Sequence, residues 1–149
     1  MVLATMSCTT HCVRPFVFIH WTRPELPDLA PLEQTVQRLF REFGEPVVSV
    51  SILDERTTPP EAEVRSELVA QTRRMSEMVR TFYTVVGGKG FRATIQRSVL
   101  AGMFLVHRGP VRPIVTASID EVLDREAGTY ALPRAQVLRQ LRERELIID

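Results

Sequence analysis

Apolar positions along the chain follow two periods in turn, and this alternation predicts a layered α/β domain. Four segments are short, apolar or alternating, and rich in β-branched and aromatic side chains, as is typical of β-strands: residues 13–22, 47–53, 81–86 and 111–117. Between them, apolar residues recur about every 3.6 positions, which is typical of helices. Because strands and helices alternate, we predict a four- to five-stranded, mostly parallel sheet flanked by helices.

Several of the helices carry signals at their ends. Gly44 follows the last apolar residue of the first helix, where a left-handed residue would end it. A long helix is predicted at 61–78, and Thr58 and Glu61 have the spacing of a capping box before it. The last predicted helix, 133–146, is charged on most faces, so we expect it to pack as an appendage or to contact a second copy.

A glycine-rich turn follows the strand at 81–86, and the next helix begins at Phe91. Glycines let the chain turn sharply off a strand, and free amides at the start of a helix can hold an anion. The turn has neither the G-x-G-x-x-G pattern nor a Walker pattern, since Lys89 is followed by Gly90. Two interpretations stay open: a tight turn that needs glycine, or an anion or ligand site formed by Gly88, Lys89, Gly90 and Arg92.

The helix after this turn becomes apolar nearly all round at residues 100–106. Such a segment is either buried on several sides of the core or covered by another chain. Homodimer formation through this surface and simple core filling are therefore both open.

Composition and charge narrow the class of protein. The chain has 149 residues, 44% hydrophobic and 25% charged, with a net charge of +1, which fits one globular domain. A near-neutral chain is not expected to be a dedicated nucleic-acid binder, whose footprint would be strongly basic. Residues 79–118 lack Asp and Glu but hold six Arg and Lys. This run either favours an acidic or phosphorylated partner or is spread over a solvated surface.

The amino-terminal residues predict a flexible segment at 1–12. Its two cysteines, Cys8 and Cys12, have His11 between them, which is too few ligands for a zinc site, and three residues separate them where a thioredoxin motif has two. No run of about 18 apolar residues occurs, so no membrane span is expected, and the first residues lack the pattern of a secretion signal. We expect a cytoplasmic protein with an α/β domain at 13–128 and a helical extension at 129–149.

Catalytic patterns are not evident. The histidines, His11, His20 and His107, are scattered singly, and neither Ser98 nor Ser118 lies in G-x-S-x-G. We expect no enzyme activity, no catalytic residues, no metal and no cofactor, and interpret His20 as a histidine at the end of a strand.

The order of elements resembles the STAS domain, the fold of bacterial anti-sigma factor antagonists. The resemblance is one of pattern over residues 13–128: a long helix after the second strand, the turn VVGGKGFR at 85–92, and the junction ASIDEVLD at 117–124. It implies a non-enzymatic switch that binds a partner protein. In the sigma-regulating branch, a Ser or Thr at the start of the long helix is phosphorylated.

The positions that match this phosphorylated residue are Thr57 and Thr58. The usual Asp-Ser pair is absent and Pro59-Pro60 follows directly, so a helix N-cap is the other interpretation of Thr58. The loop Arg56, Thr57 and Thr58 is the predicted partner-binding or switch site. The leading hypothesis is a regulatory or scaffold module that acts through protein contacts. The alternative is a small-molecule, phosphate or nucleotide binder that uses the turn at 87–92.

Overall fold

A computed structural model describes residues 2–4, 8–87, 113–130 and 132–148. Over these residues strands and helices alternate from the third strand to the fifth. In chain order the elements are β1 (Val2–Ala4), β2 (Cys8–Val13), β3 (Phe16–Trp21), α1 (Leu26–Phe43), β4 (Val47–Leu53), α2 (Ala62–Arg74), β5 (Val79–Val86), β6 (Ile114–Thr116), α3 (Ile119–Glu126) and α4 (Arg134–Glu143).

The strands lie in one sheet in the order of the sequence. β3, β4, β5 and β6 are parallel to one another, and β2 runs antiparallel to β3. β1 adds a short antiparallel edge beside β2. The predicted fold class, an α/β protein with a mostly parallel sheet, is confirmed.

The amino-terminal segment corrects one expectation. Residues 8–12, predicted to be flexible, belong to β2, which pairs with β3 along its whole length from Cys8 opposite Trp21 to Val13 opposite Phe16. The strand predicted at 13–22 is confirmed as β3 at Phe16–Trp21, whereas Val13 belongs to the end of β2 across a tight hairpin. The polar residues of β2 gave no strand signal because its order comes from pairing with the fully buried β3.

Each face of the sheet is covered by helices. Alternate residues of β3 point to opposite faces, so Ile19 packs with α1 and α2 while Phe18 packs with α3 and α4. The α1–α2 side holds Val17, Ile19, Trp21, Leu29, Leu32, Val36, Leu39, Val64 and Met75, among others. The α3–α4 side holds Phe16, Phe18, Val48, Val50, Ile52, Tyr83, Val85, Val122, Val137, Leu141 and Leu146, among others.

The last helix is part of this core. Val137, Leu141 and Leu146 are 1%, 0% and 0% exposed. The expectation of an appendage is therefore wrong for the apolar side of α4, which packs on the sheet. Its polar faces hid this role in the sequence, since one narrow apolar stripe is enough to dock a short helix.

Helix ends follow the sequence in part. Gly44 ends α1 in the left-handed conformation, with φ of 68°, as predicted. α2 begins at Ala62 with Glu61 before it, and no side chain caps it, so the capping box predicted for Thr58 does not form. The Thr58 amide instead donates to the carbonyl oxygen of Thr22 at 2.7 Å. α2 also ends at Arg74, before the predicted position 78.

Candidate functional site

Three parallel strands end at the same edge of the sheet, called here the carboxyl edge: β3 with His20 and Trp21, β4 before Asp54, and β5 before Gly87. The Gly87 amide donates to the carbonyl oxygen of Leu53 at 2.8 Å, so the residues after β4 and β5 are neighbours. In open parallel sheets, ligands bind outside the carboxyl ends of the strands. The carboxyl edge is therefore the candidate location of a functional site.

His20 and Asp54 form a buried pair at the carboxyl edge. His20 Nε2 lies 3.2 Å from Asp54 Oδ2, within ion-pair distance, and the two residues are 4% and 8% exposed. The ring nitrogen nevertheless makes no well-aligned hydrogen bond in the described part of the chain. Burial lowers the pKa of His20 although the nearby Asp54 carboxylate opposes the shift. The imidazole is therefore neutral at neutral pH.

Asp54 is held mainly by Arg56. The Arg56 amide donates to Oδ1 at 2.8 Å, and its guanidinium donates to Oδ2 through Nη2 at 2.8 Å and through Nε at 3.2 Å. Burial alone would raise the pKa of Asp54, but the hydrogen bonds from Arg56, together with His20, lower it below its ordinary value. The carboxylate is therefore ionised and paired.

Arg56 also reaches the carboxyl-terminal extension. Its Nη1 donates to the carbonyl oxygen of Glu145 at 2.9 Å, and Nη2 lies 3.5 Å from that of Leu146. The predicted partner-binding residue Arg56 thus joins the loop after β4 to the chain after α4. Its guanidinium keeps part of its surface in solvent, with 32% of the side chain exposed.

Thr57 and Thr58 lie in different surroundings. Thr57 is 6% exposed; its Oγ1 donates to the Trp21 carbonyl oxygen at 2.6 Å and accepts from the Asp54 amide at 3.0 Å. Thr58 is exposed. Of the two positions matched to a phosphorylated residue, Thr57 closes a turn inside the protein and Thr58 faces outward.

The other predicted site begins at the same edge. Gly88, Lys89, Gly90 and Arg92 lie outside the described residues, but Gly87 is described. A Cβ atom placed on Gly87 would lie 3.8 Å from the Cβ of Asp54. From the sequence, the Arg56–Thr58 loop and the glycine turn were predicted to be two separate sites. In the structure Gly87, which precedes the turn, lies beside Asp54, which precedes the loop. Asp54 was missed, and its only sequence signal is a carboxylate directly after a buried strand.

A second buried polar cluster lies between β5 and α3. Glu126, which is 5% exposed, accepts a hydrogen bond from the Tyr83 hydroxyl at 2.7 Å and pairs with Arg80. Burial and the Glu126 hydrogen bond raise the pKa of Tyr83, so the phenol stays protonated. The Arg80 guanidinium lies over the Tyr130 ring at 5.2 Å. This cluster fastens α3 to the sheet.

His11 is the second buried histidine on the α3–α4 side. It is 5% exposed; its Nε2 lies 3.1 Å from Gln140 Oε1, and its Nδ1 has no hydrogen-bond partner in the described chain. Burial lowers the pKa of His11, and the positive charge of Arg144 acts in the same direction. Like His20, this imidazole is neutral in the folded protein.

In the described ranges, no group of three or more His, Cys, Asp or Glu side chains is arranged to hold a metal ion. None of the helices described here is long and apolar enough to cross a membrane. Cys8 and Cys12 form no disulfide, and burial raises the pKa of the Cys12 thiol.

No family model, curated protein or solved structure matches this chain. The STAS resemblance therefore rests on the sequence pattern, and the carboxyl edge supplies the structural basis for a functional proposal. At that edge lie the neutral imidazole of His20, the ionised carboxylate of Asp54 and the guanidinium of Arg56. The hydrogen bonds between Asp54 and Arg56 hold the loop after β4 in place.

The two buried histidines predict that acid weakens the fold. Unfolded histidine titrates near pH 6.5, whereas burial lowers the pKa of both His11 and His20 in the folded chain. Below that pH the unfolded chain binds protons that the folded chain does not. For each such proton, the free energy of unfolding falls by about 1.4 kcal/mol for every unit by which the pH is lowered. We expect stability in urea to fall between about pH 7 and about pH 5.

The control is the double variant His11→Asn/His20→Asn, measured over the same range. Its stability should depend less steeply on pH than that of the wild type, whatever its absolute value. The contribution of Asp54, whose pKa is also lowered, is lost only at more acidic pH, below about 4. An equal slope in the variant and the wild type would contradict the prediction.

Proposed function

We propose that the protein is a non-enzymatic regulatory or scaffold module, STAS-like in kind, that binds a partner protein at the carboxyl edge. The observation that carries the proposal is the loop after β4. Its interior side is fixed by Asp54, Arg56 and Thr57, while Thr58, Pro59 and Glu61 are exposed. The loop therefore presents a surface whose shape is set before a partner arrives.

Rigidity of this kind favours binding because less conformational entropy is lost when the partner docks. Pro59 and Pro60 limit the backbone, and Glu61 is extended, with φ of −69° and ψ of 163°. These angles lie close to the polyproline conformation, which many recognition modules read. The exposed segment at 58–61 thus has both stiffness and free side chains.

The same proposal includes a cytoplasmic setting and, through residues 100–106, homodimer formation. Both are supported by the sequence pattern. In this proposal phosphorylation, if the module is switched in that way, falls on Thr58, because its side chain faces solvent and that of Thr57 does not.

The experiment is affinity purification of the tagged protein from its native cell, followed by mass spectrometry. We expect a co-purifying protein whose recovery drops by about tenfold or more in the double variant Thr58→Lys/Pro59→Gly, which changes the charge and stiffness of the docking segment. The control is Thr129→Lys, which makes the same threonine substitution at another exposed position, in the turn after α3. A partner retained by Thr58→Lys/Pro59→Gly, or lost equally with Thr129→Lys, would refute the docking site.

A second candidate function is binding of a phosphate or a small phosphorylated molecule by the turn at 87–92. It is favoured by the position of Gly87 beside Leu53 and Asp54 at the carboxyl edge. Thermal unfolding with added inorganic phosphate or nucleotide separates the two functions, since a bound ligand raises the melting temperature. A rise that Lys89→Ala abolishes supports the ligand site.

A further inference from the structure

α1 and α2 lie side by side on one face of the sheet and leave an open groove of about 680 Å³ between them. Both helices line it. Leu26 and Ala30 contribute apolar surface from α1, and three carboxylates, those of Glu33, Glu63 and Glu67, come from the two helices. Leu26 is 39% exposed, so part of its side chain is available for contact with a ligand in the groove.

The carboxylates of this groove already bind a guanidinium. Arg74 Nη2 lies 2.9 Å from Glu33 Oε1 and 2.8 Å from Glu67 Oε1, so one cation bridges the two helices. The Arg74 side chain is 49% exposed, which leaves it open to exchange with another cation. The spacing of Glu33 and Glu67 therefore fits a guanidinium group.

The lining of the groove carries more negative than positive charge. Its lining holds three glutamates against Arg74, and Glu63 makes no ion pair with another residue in the described ranges. The whole chain carries a net charge of +1, so this acidity is local to the groove. A ligand that complements it must be basic and must offer an apolar side chain to Leu26.

We propose that the α1–α2 groove binds a basic segment of a partner protein, with arginine or lysine side chains at Glu33, Glu63 and Glu67 and an apolar side chain against Leu26. Charge complementarity selects this occupant over an acidic peptide. The groove lies between the helices, whereas the proposed function uses the loop after β4. The two assignments can therefore fail independently.

The test measures fluorescence anisotropy of a labelled short peptide in which arginines flank one leucine, titrated with the purified full-length protein. We expect Glu33→Gln/Glu63→Gln to weaken binding by about tenfold, as removal of complementary charges at an interface does. Arg74→Ala should instead strengthen binding by about threefold, because it frees two carboxylates for the peptide. A role of Arg74 in stability alone would not produce this gain.

The matched control is Glu77→Gln/Glu143→Gln, which removes the same charge from exposed positions outside the groove. It should leave the affinity within about twofold of the wild type. Equal weakening by both double variants, a loss of affinity in Arg74→Ala, or equal binding of a peptide with glutamates in place of arginines would overturn the inference. So would self-association of the wild type, in light scattering, that Glu33→Gln/Glu63→Gln abolishes, since a second copy would then fill the groove. If Thr58→Lys/Pro59→Gly still binds the peptide, the groove binds it independently of the loop after β4.

Discussion

Replacing Asp54 with alanine is expected to lower the free energy of unfolding by about 3 kcal/mol, the scale seen when one partner of a buried ion pair is removed. Asp54 is 8% exposed and receives the Arg56 amide and guanidinium as well as the approach of His20. Without the carboxylate, the Arg56 amide and guanidinium lose their acceptor. The figure stays at the lower end of the range because Arg56 is partly exposed and can turn toward water.

Urea unfolding followed by circular dichroism measures this change. Asp54→Asn is the matched control, since it keeps an oxygen for the Arg56 amide but removes the charge, and it should lose less stability than Asp54→Ala. Limited proteolysis should also cut the Asp54→Ala variant faster at residues 55–58, because the loop loses its interior anchor. Wild-type stability together with an unchanged cleavage pattern would show that the pair does not hold the loop.

The second large effect is expected from Glu126→Ala, at about 2 to 4 kcal/mol, the combined scale of a lost charged hydrogen bond and an orphaned buried hydroxyl. Glu126 accepts from the Tyr83 hydroxyl and pairs with Arg80. The Tyr83 phenol is buried, and its raised pKa means that it cannot relieve the loss by ionising. α3 should therefore detach from β5 more readily.

A double-mutant cycle with Tyr83→Phe isolates the hydroxyl contact. Tyr83→Phe removes the donor, so Glu126→Ala should cost less in that background than in the wild type, by about 1 kcal/mol or more. Glu126→Gln, which retains an acceptor, should be milder than Glu126→Ala. Strict additivity in the cycle would mean that the hydrogen bond contributes nothing to stability.

The Asp54–Arg56 pair matters beyond stability because it joins two regions. Arg56 binds the carboxylate at the end of β4 and the carbonyl oxygens of Glu145 and Leu146 after α4. A partner that docks on residues 58–61 would therefore contact a loop that is hydrogen-bonded, through Arg56, to the segment after α4. If the proposed docking holds, the segment after α4 that Arg56 contacts is well placed to respond to it.

Much of the fold follows from local sequence signals. Local sequence patterns predicted the parallel strands β3, β4, β5 and β6 and the helices α1, α2, α3 and α4. A fifth predicted helix, after residue 90, lies outside the described residues. Gly44 was predicted to end α1 because a left-handed residue is readily supplied by glycine. Such features depend on a few residues that are neighbours in the chain, and so they can be predicted from the sequence alone.

The features that the sequence did not predict all depend on residues far apart in the chain. β2 is ordered by its pairing with β3, and α4 is buried against residues of β3, β4 and β5, which lie far before it in the chain. The Thr58 capping box has the correct spacing, yet Thr58 is bonded to Thr22 and α2 starts later. Here a tertiary hydrogen bond outweighed a local preference.

The candidate site divides in the same way. The sequence by itself determined the α/β class, the loop at Arg56–Thr58 as a candidate surface, and the chemical character of each residue in it. Only the tertiary structure decided that Asp54 is the anchor of that loop, that Thr57 is enclosed while Thr58 is exposed, and that Glu33 and Glu67 meet around Arg74. The reason is physical: burial and pairing set the charge state and the accessibility of a side chain, and both come from elements that meet only when the chain folds.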